Sequence, residues 1–516
     1  MKFIYATVAF ALLAVCSSCK KFLDSKPQDF LSPTTYYETE EQLNNALTSV
    51  YQTLADLNTY GNNMQSYMAL DADEGFFRRT GGVQVNNVVP TDPMIKNVWG
   101  TFYKGIERAN LLLENINKPK MSDSARNVIK GEALFLRAYF YFVLVSHFGD
   151  VPLKLSSTTS PNDPPLARTP AKDVYAQILK DMTTAEQLVT PIDKIGYGGR
   201  VSKSAVQGIL ARVCLYMAGK PINDVSKYND AKAWAQKVIN SGLHDLNPSY
   251  QQVFINYAQD KYDIKESILE VEFWGNSAAP YSQGGRVGTN FGVLYSGPTI
   301  NTGVSYGWVF STDWLYYSYA NGDLRRDWNI APYTLSNGNE VPRSLPVKLN
   351  RYAGKWYRKY ELSTSDKTNA NTPENFALLR YSDVLLMFAE AENELNGPTP
   401  AAYDALNLVA RRAFGKPVHT ADATIDLQNM TKDSMRSYIQ VERSRELCFE
   451  GMRKMDLVRW GIFMPRMQVG VAEFARDLPT SAFVEYFKNA KDRDVLWPIP
   501  STELALNPAL VQNPGW

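Results

Sequence analysis

The chain has 516 residues, and 45% of them are hydrophobic, which is enough for a large buried core. Its 54 Lys and Arg residues nearly balance its 53 Asp and Glu residues, so neither a nucleic-acid surface nor a broad surface for anionic lipid is expected. With three His residues and no His-Glu-x-x-His motif, the sequence predicts no metal site and no bound cofactor.

The N-terminus has the pattern of a bacterial lipoprotein signal. Lys2 supplies a positive start, residues 3–15 form a largely apolar run too short to span a bilayer, and small Ser residues precede Cys19. A Cys left at a new N-terminus is an acceptor for lipid, and acyl chains anchor a soluble domain to a membrane. We therefore predict a signal peptide at 1–18 and a lipid anchor on Cys19; an ordinary secretory signal is the alternative.

Helical periodicity dominates the rest of the chain. In residues 40–57, Leu43, Leu47, Val50 and Leu54 are spaced by three and four, as on the buried face of a surface helix. The same pattern recurs in residues 94–116, 125–148, 171–188, 202–218, 228–239, 376–395, 400–414 and 432–449. Because short polar or Gly/Pro segments join these helices, the sequence predicts an all-α scaffold of helix pairs like degenerate tetratricopeptide repeats.

Three of these segments are expected to be buried. Residues 134–148 are apolar almost all round, which is typical of a core helix. Cys214 and Cys448 each lie within an apolar helical pattern, where a free buried thiol is the common state. A disulfide between the two remains open at this stage.

Acidic residues at spacing four mark the last of these helices. Glu442, Glu446 and Glu450 share one face, and the basic residues of the same block are expected to pair with them. Those basic residues are Arg443, Arg445, Arg453, Lys454 and Arg459. Paired carboxylates also occur in acid/base catalysis, but no pocket feature accompanies these, so we interpret them as ion pairs that hold helices together. Gly451 is predicted to end the helix.

The helical pattern stops in the middle of the chain. Residues 273–333 have about twice the chain's 12% aromatic content and contain many glycines, and a short strand is predicted just before them at 267–273. We interpret the segment as a loop-rich excursion from the scaffold. Within it, residues 303–307 match the Gly-x-Ser-x-Gly elbow of serine hydrolases. Only His419 follows Ser305 and no α/β sheet is predicted, so the match does not indicate a hydrolase.

Six blocks of the sequence, in order, resemble the SusD/RagB family of outer-membrane nutrient-binding lipoproteins. They are CKKFLDSKP from Cys19, GEALFLRAYFYFVLVSHFGDVPL (131–153), RVSKSAVQGILARVCLYMAG (200–219), LRYSDVLLMFAEAENELNG (379–397), ERSRELCFEGMRKMDLVRWG (442–461) and LWPIPSTELALNPALVQNPGW (496–516). The resemblance implies a tetratricopeptide-like helical scaffold and a variable ligand-binding region. It also implies docking on a SusC-like TonB-dependent transporter of the outer membrane, with the protein facing the cell exterior.

With this resemblance the chain divides into a signal peptide and one domain. Residues 19–516 are expected to form a single domain, with a helical scaffold at 19–265 and 334–516 and a loop-rich ligand region at 266–333.

Two segments contain the candidate ligand-binding residues. Sugar rings stack on aromatic faces, and their hydroxyl groups need amide or guanidinium partners to offset desolvation. In the aromatic excursion the candidates are Trp274, Tyr281, Asn290, Tyr295, Tyr306 and Trp308. In the long loop at 71–97 they are Phe76, Phe77, Arg78 and Asn86. Loops of this length in a compact fold are commonly functional.

The leading hypothesis is a surface binder, without enzymatic activity, that captures an oligosaccharide and passes it to the transporter. We also expect binding to be lost on Trp308→Ala or Trp274→Ala while folding is kept. Two alternatives stay open: a binder of peptides or other nutrients on the same scaffold, and a structural lid of the transporter without its own ligand site.

Overall fold

The computed structural model describes residues 36–68, 72–78, 82–160, 163–273, 284–297, 301–362 and 367–516. The predicted anchor Cys19 and two candidate ligand residues, Trp274 and Tyr281, lie outside these ranges. The described part contains long helices in its first and last thirds and short, irregular elements between them.

The α-helices are numbered in chain order. They are α1 (Glu40–Ala55), α2 (Pro93–Asn115), α3 (Asp123–Phe148), α4 (Ala171–Leu188), α5 (Ile192–Ile195), α6 (Lys203–Ala218), α7 (Lys227–Asn240), α8 (Tyr250–Ala258), α9 (Val287–Phe291), α10 (Asp313–Ser318), α11 (Arg325–Asn329), α12 (Tyr381–Asn396), α13 (Pro400–Ala413), α14 (Lys432–Leu447), α15 (Arg453–Arg459), α16 (Phe463–Asp477), α17 (Glu485–Lys488) and α18 (Ser501–Leu506).

Local sequence signals account for several helix ends. Thr39 forms a capping box with Gln42 at the start of α1, and Ser122 accepts a hydrogen bond from the backbone of Ala125 at the start of α3. Gly149 and Gly397, both with positive φ, follow the last residues of α3 and α12. The bounds of the predicted helices differ from the observed ones by at most two residues, except at the start of α12. The helices α5, α8, α9, α11, α16, α17 and α18 were not predicted.

Successive helices pack against one another along the scaffold. Helix α3 contacts α2 and α4, α6 packs on α7, and α12 packs on α7, α13 and α14. Residues 134–148 of α3 are buried on nearly every side of the helix, as their composition predicts. The all-α scaffold of packed helix pairs is thus confirmed.

Three two-stranded antiparallel pairs interrupt the helices. The strands are β1 (Gly75–Phe77), β2 (Ser267–Val271), β3 (Val309–Ser311), β4 (Tyr333–Ser336), β5 (Asn339–Pro342) and β6 (Phe376–Arg380), paired as β1 with β3, β2 with β6 and β4 with β5. The prediction of a helix at 376–395 was wrong for its first five residues. These residues form the extended strand β6, which pairs with β2, and the helix begins at Tyr381. Strand β2 confirms the short strand predicted at 267–273.

The two cysteines of the described chain are buried and free, so they form no disulfide. Burial raises the pKa of both thiols, Cys214 and Cys448, to about 12. Both thiols therefore stay protonated and unreactive at neutral pH. Within the described ranges, every helix is too short or too polar to cross a bilayer.

Candidate functional site

Strands β1 and β3 bring the two predicted ligand segments together. Phe76 lies opposite Phe310 and Phe77 lies opposite Val309, and the next backbone amide, of Arg78, donates to the carbonyl of Trp308 at 2.6 Å. The long early loop and the aromatic excursion therefore meet edge to edge, although more than 200 residues separate them in sequence.

Four aromatic rings gather where the two segments meet. Tyr67, Phe77 and Trp308 lie with ring centroids 5.5 Å apart in each pair, and Tyr306 stacks on Trp308 at 4.8 Å and 25°. We call this group the Trp308 cluster. Tyr67 and Tyr306 are half-buried, whereas Trp308 is 9% exposed and Phe77 is fully buried. The rings that face outward are thus those of Tyr67 and Tyr306, and the other two support them.

Helix α9 supports the cluster from below. The backbone amide of Tyr306 donates to the carbonyl of Thr289 at 2.7 Å, and that of Trp308 donates to the carbonyl of Asn290 at 3.2 Å. The Asn290 side chain is fully buried and donates from Nδ2 to Asn62 Oδ1 and Ser66 Oγ, each at 2.8 Å. Asn290 therefore joins α9 to the segment that carries Tyr67, and its side chain does not reach the surface.

Three further candidates are also packed inside the protein. Phe76 has no exposed surface, stacks on Phe310 and makes a T-shaped contact with Phe474. Asn86 has a positive φ, is buried and donates from Nδ2 to the carbonyl of Tyr486 at 2.9 Å. Tyr295 is 6% exposed and exchanges backbone hydrogen bonds with Ser305.

Four of the candidates are therefore buried and held by the fold, and their placement gives no support to the prediction that they contact a ligand: Phe76, Phe77, Asn86 and Asn290. Tyr295 is also mostly buried, with an exposed fraction of 6%. Arg78, in contrast, is exposed beside the Trp308 cluster. Tyr67, which the sequence interpretation missed, closes a short π-helical turn (Asn63–Tyr67) and has no local signal that marks it as surface-facing.

Two acidic residues anchor the strand beneath the cluster. Asp73 accepts hydrogen bonds from Arg453 and Arg466 at 2.6–3.0 Å. Glu74 accepts from Ser444 Oγ at 3.1 Å and from the backbone amide of Phe449 at 3.2 Å. Burial raises the pKa of Glu74 to about 8. These contacts fix β1 to the C-terminal helices of the scaffold.

The acidic face of α14 forms a buried ion network rather than a reactive carboxylate pair. Glu446 accepts from Arg412 at 2.6 Å, Arg380 at 2.9 Å and Arg325 at 3.1 Å, and all four side chains are fully buried. Burial alone raises the pKa of Glu446, but the adjoining Arg412, Arg380 and Arg325 together hold it well below its usual range. A carboxylate held ionised by three guanidinium groups is a structural ion-pair partner and a poor proton shuttle.

The network corrects the predicted choice of partners. Glu450 pairs with Arg380 and with Lys355 at 2.6 Å, and of the predicted local partners only Arg445 contacts one of the three glutamates, Glu442. Helix α14 ends at Leu447, four residues before Gly451. The expectation that these glutamates hold helices together is confirmed, with partners drawn from distant elements.

The Gly-x-Ser-x-Gly match has no catalytic surroundings. Ser305 is buried, and its Oγ donates to the carbonyl of Thr289 at 3.3 Å. His419 lies elsewhere, with Nε2 2.9 Å from Asp245. Among the described residues no group of three or more His, Cys, Asp or Glu side chains has the arrangement of a metal site.

The described structure is a scaffold of packed helix pairs that holds half-buried aromatic rings in an irregular insertion. Residues 316–516 match the SusD family, and residues 21–215 match a SusD-like family described as "Starch-binding associating with outer membrane". The two matches together cover most of the chain. The protein belongs to the SusD family.

Similar proteins extend over nearly the whole chain. SusD-like protein P25 of Formosa agariphila is 24% identical over 97% of this chain and 96% of its own. The crystal structure of a SusD homolog from Bacteroides thetaiotaomicron is 27% identical, with a TM-score of 0.84 over 94% of this chain and 98% of its own. Surface glycan-binding protein A of the same species, solved in complex with laminarihexaose, has a TM-score of 0.70 at 22% identity, covering 92% of this chain and 99% of its own. These likenesses confirm the tetratricopeptide-like helical fold.

Proposed function

We propose that this protein is a cell-surface glycan binder, which captures oligosaccharides and delivers them to a partner TonB-dependent transporter of the outer membrane. The observation that carries the proposal is the Trp308 cluster, in which two half-buried tyrosine rings are held on a rigid support where the two predicted ligand segments meet. Rings with an accessible face and a fixed position suit the C–H faces of sugars.

The proposed role is binding without bond cleavage. The glutamates of α14 are held in a buried ion network, and the hydroxyl group of Ser305 donates to the backbone carbonyl of Thr289. Similar proteins of known structure include a laminarin-binding SusD-like protein and a surface glycan-binding protein in complex with laminarihexaose. Their names support a carbohydrate ligand for this chain, and the chemistry of the cluster agrees with it.

The proposal also states how the protein is attached to the membrane and which partner receives its ligand. The lipid anchor on Cys19 holds the protein at the outer membrane, on the exterior face, where a barrel transporter receives the ligand. The description of the family that matches residues 21–215 supports this location. Co-purification of a barrel protein with the lipidated chain from outer membranes tests the partnership.

Calorimetry with panels of oligosaccharides and peptides tests the binding function. The decisive variant is Tyr306→Ala, because Tyr306 is half-buried and its loss removes a ring face with limited effect on the core. The matched control is Tyr317→Ala, since Tyr317 is 64% exposed on α10 and lies outside the cluster. We expect saturable glycan binding that weakens at least tenfold in Tyr306→Ala and is unchanged in the control.

Other outcomes separate the alternatives. Heat with peptides alone would show a peptide binder on the same scaffold. Absence of heat with every ligand, together with co-purification of a barrel protein, would show a structural lid. Equal glycan affinity in Tyr306→Ala and wild type would remove the Trp308 cluster as the binding site.

A further inference from the structure

The arginines of this protein are nearly all engaged by other groups. Arg453 binds Asp73, Arg380 binds Glu450 and Glu446, and even an exposed side chain, that of Arg476, pairs with its neighbour Asp477. Among the arginines in the described ranges, only Arg78 and Arg286 have a guanidinium group with neither a hydrogen-bond acceptor nor an ion-pair partner. Both belong to the two segments that meet at the Trp308 cluster.

Arg78 directly adjoins the cluster. It follows the last residue of β1, its backbone amide donates to the carbonyl of Trp308, and its side chain is exposed. The acidic residues of the same segment, Asp73 and Glu74, do not neutralise it. Both are buried, and both already accept hydrogen bonds from the C-terminal helices. The guanidinium of Arg78 is therefore a positive charge without a counter-charge in the described part of the protein.

Arg286 immediately precedes helix α9, which supports the cluster. Its carbonyl accepts the backbone amide of Asn290, within the turn of α9 whose carbonyls hold Tyr306 and Trp308. Its Nε is buried and has no acceptor among the described residues. A buried donor without an acceptor costs free energy in the folded protein. Scaffold arginines such as Arg412 also have an Nε without an acceptor, but Arg412 has ion-pair partners for the rest of its guanidinium group, whereas Arg286 has none among the described residues.

We propose that the glycan bound at the Trp308 cluster is acidic, and that Arg78 forms an ion pair with its carboxylate or sulfate groups. The inference rests on the proposed glycan-binding function and specifies the ligand class. The guanidinium presents a planar fork of N–H donors that matches the two oxygens of a carboxylate or sulfate, and such charge-assisted pairs are about twice as strong as neutral hydrogen bonds. The aromatic rings then hold the sugar face while Arg78 selects for charge.

The test compares three sets of oligosaccharides of equal length: neutral glucans, uronic-acid oligomers and sulfated oligomers. Affinities are measured by calorimetry for wild type, Arg78→Gln, Arg78→Lys and Lys172→Gln. Lys172→Gln is the charge-matched control, because it removes one positive charge from an exposed position of the scaffold helix α4. Arg78 is exposed and outside the strand, so its variants are expected to fold.

We expect wild type to bind at least one acidic set more tightly than the neutral set, with an affinity that falls as salt concentration rises. Arg78→Gln is expected to lower that affinity by about tenfold to a hundredfold, Arg78→Lys by less, and Lys172→Gln not at all. If Arg78→Gln lowers the affinity for the uronic-acid set, the anionic group is a carboxylate. If it lowers the affinity for the sulfated set, the group is a sulfate.

Two results overturn the inference. Tighter binding of neutral glucans, unchanged in Arg78→Gln, would leave the proposed glycan-binding function intact and remove the role of charge. Failure of folded wild type to bind any oligosaccharide would remove the proposed function, and the inference with it.

Discussion

The buried ion network of α14 and the Trp308 cluster use side chains in opposite ways. In the network, Glu446 has three guanidinium partners within 3.1 Å, and each of these arginines is ion-paired inside the protein. At the cluster, Tyr67 and Tyr306 are partly exposed, and Arg78 has no counter-charge among the described residues. Groups that satisfy one another stabilise the fold, whereas groups left partly unsatisfied on a rigid support remain available for a ligand.

This contrast also shows how the fold supports the site. Strand β1 carries Phe77 of the cluster, and the residues just before it are tied to α15, α16 and the end of α14 through Asp73 and Glu74. The irregular region is thus positioned by the ionic interior of the scaffold. Disrupting the interior should lower stability, and disrupting the outward rings should lower affinity.

The largest expected effect is that of Glu446→Ala. The substitution leaves Arg325, Arg380 and Arg412 buried without their shared carboxylate, and an unpaired buried charge costs about 3–5 kcal/mol of unfolding free energy. Denaturant titration followed by circular dichroism measures the change. A loss below about 1 kcal/mol would mean that the remaining acids of the network compensate, and that the network is not the main stabilising feature of this region.

Trp308→Ala tests whether the cluster separates binding from stability. The sequence alone led us to expect intact folding, but Trp308 is 9% exposed and packs on Tyr67, Phe77 and Tyr306. We now expect a loss of about 3 kcal/mol in unfolding free energy, because truncating a buried Trp leaves a cavity. The half-buried Tyr306→Ala should lose less than half as much in the same titration. Equal losses in the two variants would show that Tyr306 is as much a core residue as Trp308.

A buried carboxylate near α9 makes stability depend on pH. Glu374 is 1% exposed, and burial, followed by the charge of Glu361, raises its pKa from 4.5 to about 8. The folded protein then holds a proton that the unfolded chain releases above pH 4.5, so this residue's contribution to stability is complete below pH 4.5 and is lost as pH rises to about 8.

Glu374→Gln should therefore flatten the decline of unfolding free energy between pH 5 and 8, by on the order of 2 kcal/mol. Thermal and denaturant unfolding across this interval measure the slope, with Glu41→Gln on the exposed side of α1 as control. An unchanged slope in Glu374→Gln would assign the pH dependence to other groups. The pKa values of Glu74 and Glu270, raised by burial to about 8 and about 7, give the same sign.

Much of the scaffold could be predicted because its information is local. Apolar residues at spacings of three and four indicate a buried helix face, and α4 begins and ends at the predicted residues. Strand β6 could not be recognised, since its short, fully buried run Phe-Ala-Leu-Leu is equally compatible with a helix. Its pairing with β2, more than 100 residues away, decides the conformation.

The site and the ion partners depend on contacts between distant segments. The sequence predicts a loop at residues 71–97 with Phe76 and Phe77 as ligand contacts, and it does not reveal that these residues form strand β1 with both faces buried. The partners of Glu446 come from α11, β6 and α13, whereas spacing along a helix indicates only neighbours one turn away.

The smallest expected effect comes from an ion pair near the surface of the same helix. Arg436 contacts Glu394 at 2.5 Å and Asp433 at 2.5 Å, a geometry as close as that of Glu446, but its side chain is 37% exposed. Water screens such pairs and solvates the partner that remains, so Arg436→Ala should cost less than about 1 kcal/mol. The denaturant titration used for Glu446→Ala measures both variants under the same conditions. Since the distances are alike, equal losses would mean that contact geometry, and not burial, determines what an ion pair contributes to this fold.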